Sequence, residues 1–239
     1  MTTGGGEAST VWNSILLVFL GWLLGLLGPV IVDAIRRRYR DKEIRRAILS
    51  ELSEARFRLA GLMYVLESRF GTYNRELLEW LLPLLEDYRG PNPSKQIAEA
   101  MRRQLTWSDA ELAKIAQAQR ADPQGGLAVK KYRLPYIDSR VGDLGLFDEE
   151  SRALILDVRS NIDLFNEQVD EARFYFKLTY ESGITEENHR RAALGAEKSY
   201  QNLSERAREI IERINRLVPI EGARALTARW CGRAASRRA

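Results

Sequence analysis

The sequence has very few of the residues on which common enzyme chemistries depend. His189 is the single histidine and Cys231 the single cysteine in 239 residues. One cysteine excludes an intramolecular disulfide and the zinc sites built from several cysteines. A phosphate-binding loop of the form GxxxxGK does not occur either. We therefore expect no catalytic residue, no metal site and no cofactor, and we expect that the protein is not an enzyme.

The sequence also has few prolines and lacks the patterns typical of β-strands. Only seven prolines occur, and apolar residues do not alternate with polar ones in the way that a half-buried strand requires. They recur instead at spacings of three and four, which is typical of helices with one buried face. The sequence therefore predicts an all-α protein.

One N-terminal segment lacks charge altogether. From Ile15 to Val32, eighteen residues carry no charged side chain, and a helix needs roughly 20 apolar residues to cross a hydrocarbon core of about 30 Å. We therefore predict a transmembrane helix at 11–32. A cleaved signal peptide is disfavoured, because no lysine or arginine precedes the segment and no small-x-small cleavage site follows it.

Basic residues follow this segment closely, namely Arg36, Arg37, Arg38 and Arg40. Lysine and arginine are enriched on the cytoplasmic side of membrane helices. We therefore expect a single-pass protein of the inner (plasma) membrane, with residues 1–10 outside and the C-terminal domain in the cytoplasm. The same four arginines are candidates for contacts with anionic lipid head groups.

Three glycines share one side of the predicted membrane helix. Gly21 and Gly25 form a GxxxG motif, and Gly28 continues this side by one turn. Small residues at this spacing let two helix backbones approach closely, so the motif predicts a homo-oligomer. The alternative is that glycine is simply common in membrane helices.

Three apolar stripes predict long helices in the remaining chain. The first stripe runs from Ile44 to Leu66, with Glu51, Glu54, Arg56 and Arg58 off it. The second runs from Ile155 to Phe176 and the third from Ala193 to Leu217. Gly183 is expected to end the second long helix and Thr185 to begin the third, and so short a connection indicates that these two helices are antiparallel. We expect the first helix to continue from the membrane span into an elongated antiparallel cytosolic bundle at 33–221.

Shorter segments complete the predicted bundle. A leucine-rich helix between Tyr73 and Tyr88 is interrupted by Pro83 and is too short to cross a bilayer. Another helix is expected from Ser94, and a capping box between Ser108 and Glu111 indicates a further start. Each of the three long helices is expected to have roughly 33 to 38 residues, with matched lengths of about 50 to 57 Å.

The stretch 127–147 has no regular pattern, and long irregular loops in compact domains are often functional. It is rich in cations and aromatic residues that suit an anionic ligand or a partner. The alternative is an ordinary crossover that packs along the bundle. The candidate ligand or partner residues are Lys130, Lys131, Tyr132, Arg133, Tyr136 and Arg140.

Glu186 and His189 have the ExxH spacing that di-iron helical bundles use. Such a site needs this pair on two helices and two further carboxylates, and a chain with one histidine cannot supply them. The glutamate is also favourable in the first turn of a helix, where it interacts with the helix dipole. A structural role is therefore favoured.

The C-terminal segment 222–239 forms a basic tail. It contains no acidic residue and five arginines, namely Arg224, Arg229, Arg233, Arg237 and Arg238. These arginines suit either a contact with lipid head groups or a solvated chain end. Between this tail and the cluster at Arg36 the charges nearly balance, which makes a nucleic-acid partner unlikely.

Three functions fit these features. The first is a membrane-anchored interaction, signalling or scaffold module that self-associates and binds membrane lipid and a cytosolic protein partner. The second is a membrane effector that oligomerises through its transmembrane helix and perturbs the bilayer, as toxins or anti-phage systems do. The third is a membrane-anchored enzyme whose site has no known motif.

Overall fold

The computed structural model describes residues 6–90, 95–121 and 126–219, without the side chains of 6–11, 13–15, 23–24, 26–30 and 95. The chain divides into two compact units, Met1–Arg46 and Ala47–Ala239. Helices are the only regular secondary structure among the described residues: α1 Gly6–Phe70, α2 Arg75–Glu86, α3 Lys95–Gln104, α4 Asp109–Ala118, α5 Pro135–Ser139, a 3-10 helix Val141–Leu146, α6 Glu149–Leu178 and α7 Glu186–Leu217. The predicted all-α class and helical bundle are confirmed.

The predicted transmembrane helix at 11–32 lies within α1. Among the residues whose side chains are described, no helix is both long enough and apolar enough to cross a membrane. These residues therefore give no support to a membrane span. Half of the predicted span, namely the side chains at 11, 13–15, 23–24 and 26–30, lies outside the described residues. The transmembrane helix stays a prediction.

Three helix starts follow the capping residues predicted from the sequence. The Oγ atom of Ser108 accepts a hydrogen bond from the Glu111 backbone, and the Glu111 carboxylate accepts one from the Ser108 backbone. Asp148 and Thr185 accept hydrogen bonds from backbone N–H groups in the first turns of α6 and α7. These side chains satisfy amide groups that would otherwise have no partner at a helix start.

Gly71 ends α1, as predicted. Its φ angle is +68°, and a Cβ atom at this position would lie 2.8 Å from the carbonyl oxygen of Ala116. The backbone N–H of Thr72 then donates to the carbonyl of Glu67 at 3.0 Å, which is the hydrogen bond of a Schellman cap. Only glycine meets both the conformational and the steric requirement.

Helices α6 and α7 form the predicted antiparallel hairpin. Arg213 bonds Asp157 at 2.6 Å near the open end, and Gly195 gives room for the ring of Tyr175 near the turn. The buried residues of α6 are those of its predicted stripe up to Ala172, and Asn161 is buried with them. The helices have 30 and 32 residues, so the expected 33 to 38 residues were too many. Helix α6 is shorter because it ends at Leu178, before the predicted Gly183, and a longer connection begins at Thr179. Helix α7 begins after Thr185 and ends before Pro219, as predicted.

The part of α1 in the second unit packs antiparallel to α7 and to α2. Ser204 donates to Glu67 at 2.6 Å, and Arg56 donates to Asn215 at 3.0 Å. On the α2 side, the rings of Phe57 and Tyr88 stack with centroids 4.1 Å apart. Helix α2 continues through Pro83, so the predicted interruption is wrong, although its leucines are buried as expected.

Candidate functional site

The stretch 127–147 was predicted to be irregular, and this prediction is wrong for its second half, which contains α5 and the 3-10 helix. Helices of five and six residues are too short to show a periodic pattern in the sequence. Side chains of the long helices bind several backbone groups of this stretch. Asn166 of α6 accepts from the backbone N–H of Tyr132 at 2.8 Å and donates to the Tyr132 carbonyl at 2.7 Å. Glu51 of α1 accepts from the backbone N–H groups of Tyr136 and Ile137 at 2.9 and 2.8 Å. Backbone groups held in this way are not free to bind a ligand. The geometry favours the packed crossover over the ligand loop.

The cations of this stretch do not converge on one point. Lys131 pairs with Asp170, and Arg140 pairs with Asp143. Lys130 and Arg133 are exposed, and no ion pair involves them within the described chain. Because two cations are paired and two face solvent, we find no anion-binding cluster in the crossover.

Tyr132 is the most strongly perturbed group of the crossover. Burial raises the pKa of its phenol from 10.0 to about 12, although Arg58 opposes the shift. The hydroxyl donates to the Arg58 carbonyl at 3.2 Å, and the ring packs edge-on against Phe165. The Tyr132 side chain therefore packs between the crossover and helices α1 and α6, and its phenol is neutral.

This raised pKa predicts a loss of stability at high pH. Unfolded Tyr132 ionises near pH 10, whereas folded Tyr132 stays neutral to about pH 12. Its contribution is thus complete below pH 10 and is lost as the pH rises through 12; the loss reaches about 2 kcal/mol at pH 11.5. Urea unfolding of wild type and Tyr132→Phe at pH 8 and pH 11.5 measures this contribution. We expect the variant to lose less stability between the two pH values; equal losses would contradict the prediction.

Arg56 was expected to lie off the first apolar stripe, and this expectation is wrong. Its side chain is 1% exposed. The guanidinium donates to Asp87 of the α2 C-cap at 2.8 Å, to Asn215 of α7 at 3.0 Å and to the Val218 carbonyl. Burial lowers the pKa of Arg56, and Asp87 opposes this shift. One buried cation therefore joins α1, α2 and the end of α7.

Two adjoining clefts lie at the N-terminal half of α2. The first has a volume of about 410 Å³ and is lined by Tyr73, Asn74, Arg75, Glu76, Glu79, Asp109, Leu112 and Ala113. The second has a volume of about 270 Å³ and is lined by Glu67, Thr72, Asn74, Glu76, Leu77, Trp80 and Arg208. Asn74 and Glu76 border both clefts, which we call together the α2 groove. The sequence carried no motif for this groove.

The walls of the α2 groove are held by internal hydrogen bonds. Arg75 bonds Asp109 at 2.6 Å and the carbonyls of Leu105 and Trp107 at 3.1 and 2.6 Å. The Tyr73 hydroxyl donates to Gln119 at 3.0 Å, and burial raises the pKa of this tyrosine. The α2 groove is therefore preformed, since its wall residues are bonded to their neighbours.

The rim of the α2 groove is acidic. Glu76 and Glu79 are exposed and one turn apart on α2, and no cation pairs with either within the described residues. Arg75 is neutralised by Asp109, and Arg208 lies over the Trp80 ring at 5.1 Å. The floor is apolar at Leu112 and Ala113. This combination suits a ligand with both cationic and apolar groups.

The predicted helix-packing glycines lie in the first unit. Gly21 and Gly25 are exposed, and a Cβ atom at either would have nothing within 4 Å. The side chain position of Gly28 lies outside the described residues. The predicted lipid contacts Arg36, Arg37, Arg38 and Arg40 are all exposed. The described residues therefore leave both predicted surfaces uncovered, except at Gly28.

Within the described part of the chain, no group of three or more histidine, cysteine or carboxylate side chains could hold a metal ion. Glu186 is exposed in the first turn of α7, and His189 follows in the next. Cys231 lies outside the described residues. Comparison of the chain with protein-family models, curated proteins and solved structures finds no match in any of the three. The function of these surfaces is therefore inferred from their own chemistry.

Proposed function

We propose that the protein is a single-pass membrane-anchored interaction or scaffold module that self-associates through its N-terminal helix. The supporting observation is a row of large apolar side chains that are 44% to 73% exposed in the first unit: Trp12, Leu16, Leu17, Val18, Phe19, Leu20, Trp22, Ile31, Val32 and Ile35. Exposed apolar patches of more than a few hundred Å² mark membrane or protein contacts.

The cost of leaving these side chains in water supports their burial. Covering one large apolar side chain contributes about 1.5 to 3 kcal/mol. The full row therefore favours burial by more than about 10 kcal/mol. A helix over residues 11–32 has a length of about 33 Å, close to a hydrocarbon core of about 30 Å. The exposed arginines that follow match the cytoplasmic lipid head groups.

Self-association rests on the open glycine side of the same helix. Among the described residues, nothing lies within 4 Å of a Cβ atom built on Gly21 or Gly25, and the backbone of a second helix fits closely on such a side. The second unit would remain in the cytoplasm and offer its surfaces to a cytosolic protein partner. A scaffold needs a membrane anchor and a folded surface for its partner in one chain, and this arrangement would provide both.

The mass of the detergent-solubilised protein tests self-association. We expect wild type to contain at least two copies, and Gly21→Ile/Gly25→Ile to be monomeric, because the added side chains separate the backbones. Leu16→Ile is the control, since Leu16 lies on the opposite side of the helix and is 62% exposed. A wild-type monomer, or an equal oligomer in all three proteins, would contradict the proposal.

A further inference from the structure

The end of the described chain lies beside the helix that carries the acidic groove. Arg56 donates both to the Val218 carbonyl and to Asp87, the C-cap residue of α2. Two oxygen atoms bound by one guanidinium lie within roughly 8 Å of each other. The basic tail, residues 222–239, which the structure does not describe, therefore continues from a point next to the C-terminal end of α2.

The distance from Val218 to the α2 groove is short for this tail. Arg208 of α7 packs on Trp80 of α2, so the groove lies about ten α7 residues, or roughly 15 Å, from the end of the helix. Cys231 follows Val218 by thirteen residues, which can extend to about 43 Å. The tail therefore reaches the α2 groove with slack.

The composition of the tail complements the groove. The tail has five arginines and no acidic residue, and it carries Leu226 and Trp230 among them. The rim of the groove has the unpaired carboxylates Glu76 and Glu79, and its floor is apolar. Cations match the rim, while a leucine or tryptophan matches the floor and loses water contact on binding.

We propose that the basic tail of the chain binds intramolecularly in the α2 groove, with arginines against Glu76 and Glu79 and an apolar side chain over Leu112 and Ala113. This contact goes beyond the proposed membrane function and does not depend on it. It occupies a bundle surface whose acidic rim and apolar floor suit a basic, amphipathic partner. The tail is then an internal competitor of such a partner.

Disulfide formation with the native Cys231 tests this proposal in the full-length protein. Ala113→Cys places a thiol on the groove floor without removing a carboxylate, and Ala113 is exposed. Ser160→Cys is the matched control. Ser160 is exposed on α6. It precedes Asn161, which accepts a hydrogen bond from Arg206 of α7 at 3.3 Å, and Asp163 and Glu167 follow it one and two turns later. With oxidised glutathione, we expect the intramolecular disulfide to form at least tenfold faster at position 113 than at position 160.

The charge contribution is tested in the same assay. Adding Glu76→Gln and Glu79→Gln to Ala113→Cys should bring the rate down to that of the control. About 1 M salt should do the same, because it shortens the Debye length to about 3 Å. Equal rates at positions 113 and 160, or a faster rate at 160, would overturn the proposal. Disulfides that form only between two chains would also overturn it, because the contact is proposed within one chain.

Discussion

Arginines at positions 17 and 20 are expected to remove the protein from the membrane. Leu17 and Leu20 are 68% and 47% exposed and belong to the predicted span. An arginine near the middle of a membrane helix costs about 2.5 to 3.5 kcal/mol on insertion scales. The two substitutions together therefore cost about 5 to 7 kcal/mol, which lowers the membrane-bound fraction more than a thousandfold.

The matched control is Ile35→Arg/Tyr39→Arg. Ile35 and Tyr39 are 49% and 72% exposed, so the two pairs resemble each other in exposure, and the same charge is added. They lie beyond the predicted span among basic residues, where arginine suits the lipid head groups. We expect the control to stay in the membrane fraction of lysed cells. If both variants partition alike, the exposed apolar row is buried by something other than lipid.

Replacing Arg56 by methionine is expected to destabilise the second unit by about 3 to 5 kcal/mol. Removing one partner of a buried ion pair has a cost of this size, because the remaining charge stays in a poorly solvated place. Arg56 is 1% exposed and the Asp87 side chain 12%. Methionine fills much of the volume of the arginine side chain, so little of the lost stability comes from a cavity. Most of it comes from the missing guanidinium and its hydrogen bonds to three partners.

Thermal and urea unfolding of the full-length protein in mild detergent measures this loss. Arg58→Met is the control, because Arg58 is 60% exposed and its one ion pair within the described ranges is with Glu54 one turn away. Its expected effect is below about 0.5 kcal/mol. The double variant Arg56→Met/Asp87→Leu should recover part of the stability, because both charges are then absent. A loss of less than about 1 kcal/mol for Arg56→Met would contradict the structural role of Arg56.

The helices could be predicted from the sequence because local rules determine them. The stripe through Ile155, Val158 and Ile162 is buried as its spacing indicates, and Ser108 and Asp148 cap the helices they precede. Gly71 likewise ends α1. Periodicity and capping depend on neighbours within about four residues, so a single sequence contains the needed information.

Arg56 and the α2 groove could not be predicted because they depend on distant residues. Arg56 lies 31 residues before Asp87 and 159 before Asn215. Its helix face is buried only because α2 folds back on α1 and α7 packs beside both. The groove likewise needs the start of α4 to lie beside the start of α2, where Arg75 bonds Asp109. Nothing near Arg56 or Glu76 in the sequence marks either arrangement.

The proposed anchor has the widest consequences for the function, since attachment to lipid would orient the bundle and concentrate its copies. The supporting observation is the exposed apolar row between Trp12 and Ile35, followed by the exposed arginines at 36–38 and 40. Extraction of membranes with alkaline carbonate tests the anchor most directly, because it releases peripheral proteins and retains spanning ones. We predict that the wild-type chain stays in the membrane pellet; its release into the supernatant would contradict the proposed membrane anchor.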